Sequence, residues 1–230
     1  MIDWQAFDAV LFDLDGVITP TAELHRAAWG ATFADDGFTD EDYLRYIDGK
    51  PRYDGVAAFL TSRGIDLPWG TDSDAPGRST VCGIGNEKDR RFNQLLAAGE
   101  LRPYLGSLQV LDALDSMRIT YGLVTSSRNA TKVLAVTDLT TRFACIVDGE
   151  RAAQELLAGK PAPDTYLRGA ALLGAHPSRS VVVEDAVSGV LAGRRGNFGY
   201  VLGIDRGGNR DALADAGADE VIDDLADTIC

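Results

Sequence analysis

The stretch AVLFDLDGVIT, residues 9–19, decides the fold. Four apolar residues, Ala9 to Phe12, run without polar interruption and then give way to Asp13 and Asp15. A short apolar run of this kind reads as a strand buried on both faces, the pattern of a parallel sheet. Side chains alternate along an extended chain, so Asp13 and Asp15 leave by the same face and share one small volume. Gly16 is free to take the turn that follows. In an open α/β sheet, ligands bind beyond the carboxyl ends of the strands, and this acidic pair stands at such an end.

Outward from that strand, further β-branched runs occur at ITYGLV (119–124), ACIV (144–147), VVV (181–183), YVLGI (200–204) and EVI (220–222). Between them, residues 105–116, 128–137, 165–173, 186–195 and 209–216 have helical spacing. The alternation predicts an α/β fold, a Rossmann-like doubly wound parallel sheet. It breaks off after residue 20, and from Ala22 to about Gly99 no strand pattern occurs. That interval predicts an inserted α-helical cap domain at 20–99, over a catalytic core made of 1–19 and 100–230. Within it, SRGIDLPWGTDSDAPGRSTVCGIG (62–85) reads as an unusually long loop. Its Gly83 and Gly85 follow no strand, so they do not suggest a dinucleotide site.

Composition narrows the class. The chain has 230 residues, 45% of them apolar and only 8 Pro, which suits a globular protein with a sizeable core. A net charge of −13 repels phosphate backbones and anionic lipid, arguing against nucleic-acid and membrane partners. An anionic ligand must therefore be met by a few local cations or a metal. Cys82, Cys145 and Cys230 are odd in number, without CxxC spacing, and read as reduced thiols. The N-terminus MIDWQAFDAV carries acids where a signal peptide needs a basic region, and no apolar run approaches the roughly 18 residues of a membrane span. The expected location is cytoplasmic, and the expected state a monomer. The sequon Asn129-Ala130-Thr131 means nothing without secretion.

Three further segments carry groups suited to the acidic pair. ITYGLVT ends at Thr125, VVVED ends at Glu184 and Asp185, and GKPAPD places Lys160 just before a helix start. Phosphoryl transfer needs a nucleophile, a proton-transfer group and cations for the equatorial oxygens. Asp13, Asp15, Lys160 and a metal would supply these in turn. Magnesium prefers a hard oxygen set with one or two carboxylates, which makes Asp13 with Asp185 a sensible pair, Glu184 helping directly or through water. A calcium loop is excluded because it needs Gly at its sixth position, whereas Gly16 is fourth, and no P-loop sequence occurs. Taken singly, Lys160 and the acids after VVV would be ordinary solvated charges.

In this order the residues resemble the haloacid dehalogenase superfamily, with DLDGV at Asp13, a hydroxyl at Thr125, Lys160 in GKPAPD, and Glu184 with Asp185. The resemblance implies an aspartyl-phosphate on Asp13, with Thr125 and Lys160 binding the transferring phosphoryl. It also implies Asp15 as acid and base, its main-chain carbonyl joining Asp13, Glu184 and Asp185 around Mg2+. Within the superfamily, DLDGVITPTAELHRAAW, DGKPR, NEKD, TSSRN and GKPAPD are similar to the β-phosphoglucomutase group. That likeness implies that His25 assists closure and proton transfer and that Trp29 lines a sugar pocket. Gly49, Lys50 and Arg52 would bind the remote phosphate with Lys88, and Ser126, Ser127, Arg128 and Asn129 would surround the substrate. Pro20 departs from the group's usual polar residue, and the loop 64–85 is longer than usual. Without the likeness, His25 reads as a helix-surface residue, Trp29 as a core aromatic, and Arg52 and Lys88 as solvated charges. His176, in GAHPSRS, reads as part of a surface loop.

The expected activity is interconversion of β-glucose 1-phosphate and β-glucose 6-phosphate through the 1,6-bisphosphate, the partner being a small sugar phosphate. A sugar phosphatase with the same residues is the second expectation. A non-catalytic metal-binding module would lack the nucleophile or the acid, and both are present.

Overall fold

A computed structural model describes residues 2–206 and 208–229, so Cys230 lies outside the described residues. Among these, six parallel strands form one sheet in the order β3-β2-β1-β4-β5-β6. They are β1 (Ala9–Phe12), β2 (Thr120–Val124), β3 (Ile146–Val147), β4 (Ser180–Glu184), β5 (Tyr200–Ile204) and β6 (Glu220–Ile222). The run ACIV thus yields only Ile146 and Val147 as strand, although Leu123 still donates its N–H to the Cys145 carbonyl at 2.9 Å. β1 lies between β2 and β4, with Phe12 level with Leu123 and Val183. The strand order reverses between β1 and β4, and in such sheets the crevice opens at that point.

Ten α-helices accompany the sheet among the described residues, besides short 3-10 and π turns: α1 (Thr21–Thr32), α2 (Asp40–Asp42), α3 (Arg52–Ser62), α4 (Val81–Ala98), α5 (Leu105–Met117), α6 (Ala130–Val136), α7 (Gly149–Gln154), α8 (Asp164–Leu172), α9 (Val187–Arg195) and α10 (Arg210–Asp215). Alternate residues of β1 separate onto two faces. Val10 and Phe12 pack with Val110, Leu111 and Leu114 of α5, while Leu11 packs with Tyr166 of α8 and Val190 of α9. Burial on both sides explains the continuous apolar runs. A third core joins Trp29, Phe33, Tyr43, Phe59 and Val81 within the helical stretch between β1 and α5. No described helix is long and apolar enough to cross a membrane.

The long loop is shorter than expected, because Val81 to Gly85 are helical. Thr80 caps α4 by accepting from the Gly83 N–H at 2.9 Å. The glycines there serve close packing: a Cβ on Gly85 would lie 2.7 Å from the Tyr53 ring. Asp74 holds the remaining loop, accepting from Thr80 Oγ1 at 2.6 Å and from Arg78 at 3.0 Å. Cys82 is buried and Cys145 half-buried, both as free thiols, and His176 is exposed.

The helical stretch docks on the ends of the strands. Ser126 Oγ donates to the Gly49 carbonyl at 2.7 Å and Ser188 Oγ to the Asp48 carbonyl at 3.0 Å. Gly49 has φ +69°, and a Cβ there would fall 2.1 Å from Ser188 Oγ. Gly49→Ala is expected to lose about 1–2 kcal/mol through the left-handed backbone alone and to unseat this loop. Denaturant unfolding and amide exchange of residues 48–52 check this; parent-like exchange there would contradict it.

Candidate active site

The site is assembled where β1, β2 and β4 end together. Asp13 follows β1, Thr125 follows β2, and Glu184 ends β4 with Asp185 next. Lys160 arrives from the segment before α8 and is 2% exposed. Its ammonium donates to Asp13 Oδ1 and Glu184 Oε1, each at 2.5 Å, and to the Val124 carbonyl at 3.1 Å. Burial opposes the Lys160 charge, but the two carboxylates outweigh it and hold its pKa above the usual lysine value. Glu184 is held further by Tyr166, whose hydroxyl donates to Oε1 at 2.8 Å, and by the Ala186 N–H, which donates to Oε2 at 3.2 Å.

Asp13 Oδ2 accepts the Asp15 N–H at 2.9 Å, which orients the carboxylate at the strand end. Burial, with the charges of Glu184 and Asp15, pushes the Asp13 carboxyl well above the carboxylate range despite Lys160. Asp185 is pushed up likewise by burial and by Asp48, Glu184 and Asp13. Ligand atoms of Asp13, Glu184 and Asp185 lie within 4.8 Å of one another. The set suits a hard divalent cation, which would relieve this crowding of buried negative charge. Gly16 makes room for the Asp185 carboxylate of this set: it has φ +80°, and a Cβ there would fall 1.7 Å from Asp185 Oδ2.

Asp15 faces the helical side of the cleft. Its Oδ1 accepts from Thr21 Oγ1, and Oδ2 lies 3.4 Å from His25 Nε2. Burial raises its pKa, but His25, Thr21 and Lys88 together bring it below the usual value, so the carboxylate rests ionised. His25 stacks on Phe92 at 4.1 Å, and its Nδ1 meets the Lys88 ammonium. Lys88 Nζ lies 5.0 Å from the Trp29 ring and 5.1 Å from that of Phe92. Burial, then the nearby Arg52 charge, brings Lys88 down to about 7. His25 is lowered as well, by burial first and by the Lys88 charge next.

Of the site residues expected from the sequence, all but Lys160 line one cavity of ≈ 70 Å³, and Lys160 reaches it through its bonds to Asp13 and Glu184. Trp29 combines both readings, stacked on Phe33 at 5.6 Å in the core while bordering the cleft. Lys88 and Arg52 are not solvated charges. Arg52 donates to Asp89 at 2.6 Å, and Asp89 also accepts from Asn129 Nδ2 at 2.7 Å. Lys50 borders the cavity but donates to the Arg45 carbonyl at 3.3 Å on the exposed side. Arg128 pairs with Asp72 at 2.8 Å, and Ser127 Oγ accepts from the Asn129 N–H at 3.1 Å. Three participants escaped sequence reasoning: Asp48, Tyr43 and Tyr166. Asp48 was visible as the first residue of DGKPR; burial and Glu184 push it up to about 7, while Tyr43 bonds to it. The two tyrosines carried no motif.

The haloacid dehalogenase-like hydrolase family model matches residues 7–197. A protein of Mycobacterium bovis named beta-phosphoglucomutase is 42% identical over 240 aligned positions, covering 96% of this chain and 91% of its own. Validoxylamine A 7'-phosphate phosphatase of Streptomyces hygroscopicus subsp. limoneus is 27% identical, covering 96% and 95%. The crystal structure of beta-phosphoglucomutase from Clostridium difficile superposes with a TM-score of 0.78 at 25% identity, covering 96% of this chain and 92% of its own. With the acid, lysine and hydroxyl motifs converging where β1, β2 and β4 end, the chain belongs to the haloacid dehalogenase-like hydrolase family.

Proposed function

We propose that the chain interconverts β-glucose 1-phosphate and β-glucose 6-phosphate through β-glucose 1,6-bisphosphate, with residues 20–99 acting as a cap over the core. The observation that carries this reading is one cavity with a phosphoryl-accepting end and a separate cationic end. Asp13 and Thr125 line it on the sheet side, with Lys160 bonded to Asp13, while Arg52 and Lys88 line it on the helical side. A mutase must hold the phosphate that does not react as well as the one that does. The mycobacterial relative's name supports the same choice.

Asp13, Glu184 and Asp185 would hold Mg2+, which when bound neutralises oxygens of the transferring phosphoryl. A carboxylate oxygen of Asp13 attacks phosphorus, forming an acyl phosphate while the bond to the sugar oxygen breaks. Asp15, in its protonated form, gives that oxygen its proton. In the return step Asp15, held ionised by its surroundings, takes the proton of the sugar hydroxyl that attacks phospho-Asp13. Lys160 and Thr125 steady the phosphoryl in both directions. Docking of the Gly49 loop keeps water from competing with the sugar. If water attacked phospho-Asp13 instead, the same residues would make a phosphatase, as in the Streptomyces relative's name.

Incubation of the parent protein with β-glucose 1-phosphate, Mg2+ and a bisphosphate primer is expected to produce far more glucose 6-phosphate than free phosphate, each quantified separately. Free phosphate as the main product would shift the assignment to the phosphatase.

Arg52→Ala is expected to weaken sugar-phosphate turnover by about one to two orders of magnitude, the worth of a charged hydrogen bond of roughly 1.5–3 kcal/mol. Hydrolysis of acetyl phosphate, which has no second phosphate to hold, should barely change. Equal losses on both substrates would remove Arg52 from the remote pole.

A further inference from the structure

A second cavity of ≈ 290 Å³ opens beside the reaction cleft and shares Arg52, Thr125, Ser126 and Arg128 with it. Its remaining wall is unlike the cleft. Tyr53 and Trp69 border it from the helical stretch, and Ala152, Ala153 and Leu157 from α7 and the turn beyond. Thr165 also lines it; this residue is 4% exposed, and its hydroxyl has no hydrogen-bond partner among the described residues.

Trp69 is the unusual member. Trp4 and Trp29 are each 3% exposed, whereas Trp69 is 51% exposed. Its backbone is fixed: the Trp69 carbonyl accepts the Cys82 N–H at 2.9 Å, and the Pro68 carbonyl accepts the Val81 N–H at 3.0 Å. The indole is thus carried on an anchored segment. Tyr53 is engaged differently, with Arg128 at 5.3 Å and Arg52 at 5.9 Å from its ring. An aromatic and aliphatic wall with a few hydroxyl and guanidinium groups is the usual make-up of a small-molecule pocket. A pyranose presents a C–H face to such a ring and a rim of hydroxyls to the polar groups.

We propose that this cavity is a subsite for a second sugar ring, so that the substrate class extends to phosphorylated disaccharides, with the phosphoryl at Asp13 and the second ring on Trp69. This rests on the phosphoryl-transfer reading of the neighbouring cleft, from which the shared Thr125, Ser126 and Arg52 give the second ring its direction. The second ring adds binding only; the reacting bond remains the phosphate ester.

The test is equilibrium binding with Mg2+ present and Asp13→Asn in every form compared, so that turnover does not intervene, using glucose 6-phosphate and trehalose 6-phosphate as probes and tryptophan emission as the readout. The disaccharide phosphate is expected to bind about tenfold more tightly and to blue-shift the emission as the indole is covered. Trp69→Ala should abolish both the advantage and the shift while leaving glucose 6-phosphate affinity within about twofold of the parent. Equal affinities in the parent, failure of the disaccharide phosphate to bind, or an advantage that survives Trp69→Ala would each overturn the subsite. Turnover of β-glucose 1-phosphate by Trp69→Ala is measured alongside. Absent turnover in the parent as well would count against the mutase reading and leaves the binding comparison to decide the subsite.

Discussion

Four carboxylates, Asp13, Asp15, Glu184 and Asp185, crowd the end of one parallel sheet, and Lys160 is the cation that touches two of them. Buried charges of like sign raise each other's energy steeply, so such a cluster persists only where it is compensated. Lys160 compensates Asp13 and Glu184 and ties the β1 and β4 ends to the β2 carbonyl of Val124. Asp185 has a raised carboxyl pKa, and among the described residues no such cation pairs with it. A divalent ion and an incoming phosphoryl group form the complementary pair: one removes the repulsion, and the other is gripped by the charges that remain.

The same logic governs the helical side. Lys88, buried against Trp29 and Phe92, holds its proton loosely, and its neighbour His25 approaches Asp15. A phosphate arriving there would stabilise the charged lysine. The Gly49 loop closes over the site through backbone carbonyls that accept from Ser126 and Ser188, contacts that need no side chain at Gly49. Positioning and electrostatics are thus distributed over core and helical stretch, as phosphoryl transfer requires.

The sheet and its acidic end were legible because each strand is a local apolar run, Asp13, Thr125, Glu184 and Asp185 lie where such runs finish, and Lys160 sits in the local motif GKPAPD. Asp13, Thr125, Lys160, Glu184 and Asp185 could therefore be placed before any contact was known. Chain-distant contacts were not legible. Tyr166 supports Glu184 only because α8 packs under the sheet, and Asp48 becomes a site acid only when its loop is folded onto β4's end. The helical start at Val81 was masked by glycines that in a sequence signal a loop, yet here allow Tyr53 to pack against α4. Arg52 and Lys88 read as solvated in isolation because burial of a charge depends on partners, Asp89 and His25, supplied by other helices.

The central claim is that Asp13 is the group that carries the phosphoryl. Acid quenching after brief exposure to radiolabelled β-glucose 1,6-bisphosphate with Mg2+, followed by peptide mapping, measures it directly. Acid-stable, base-labile label is expected on the peptide containing residues 9–19 and none on the same peptide from Asp13→Asn. Label on another peptide, or label retained in Asp13→Asn, would contradict it.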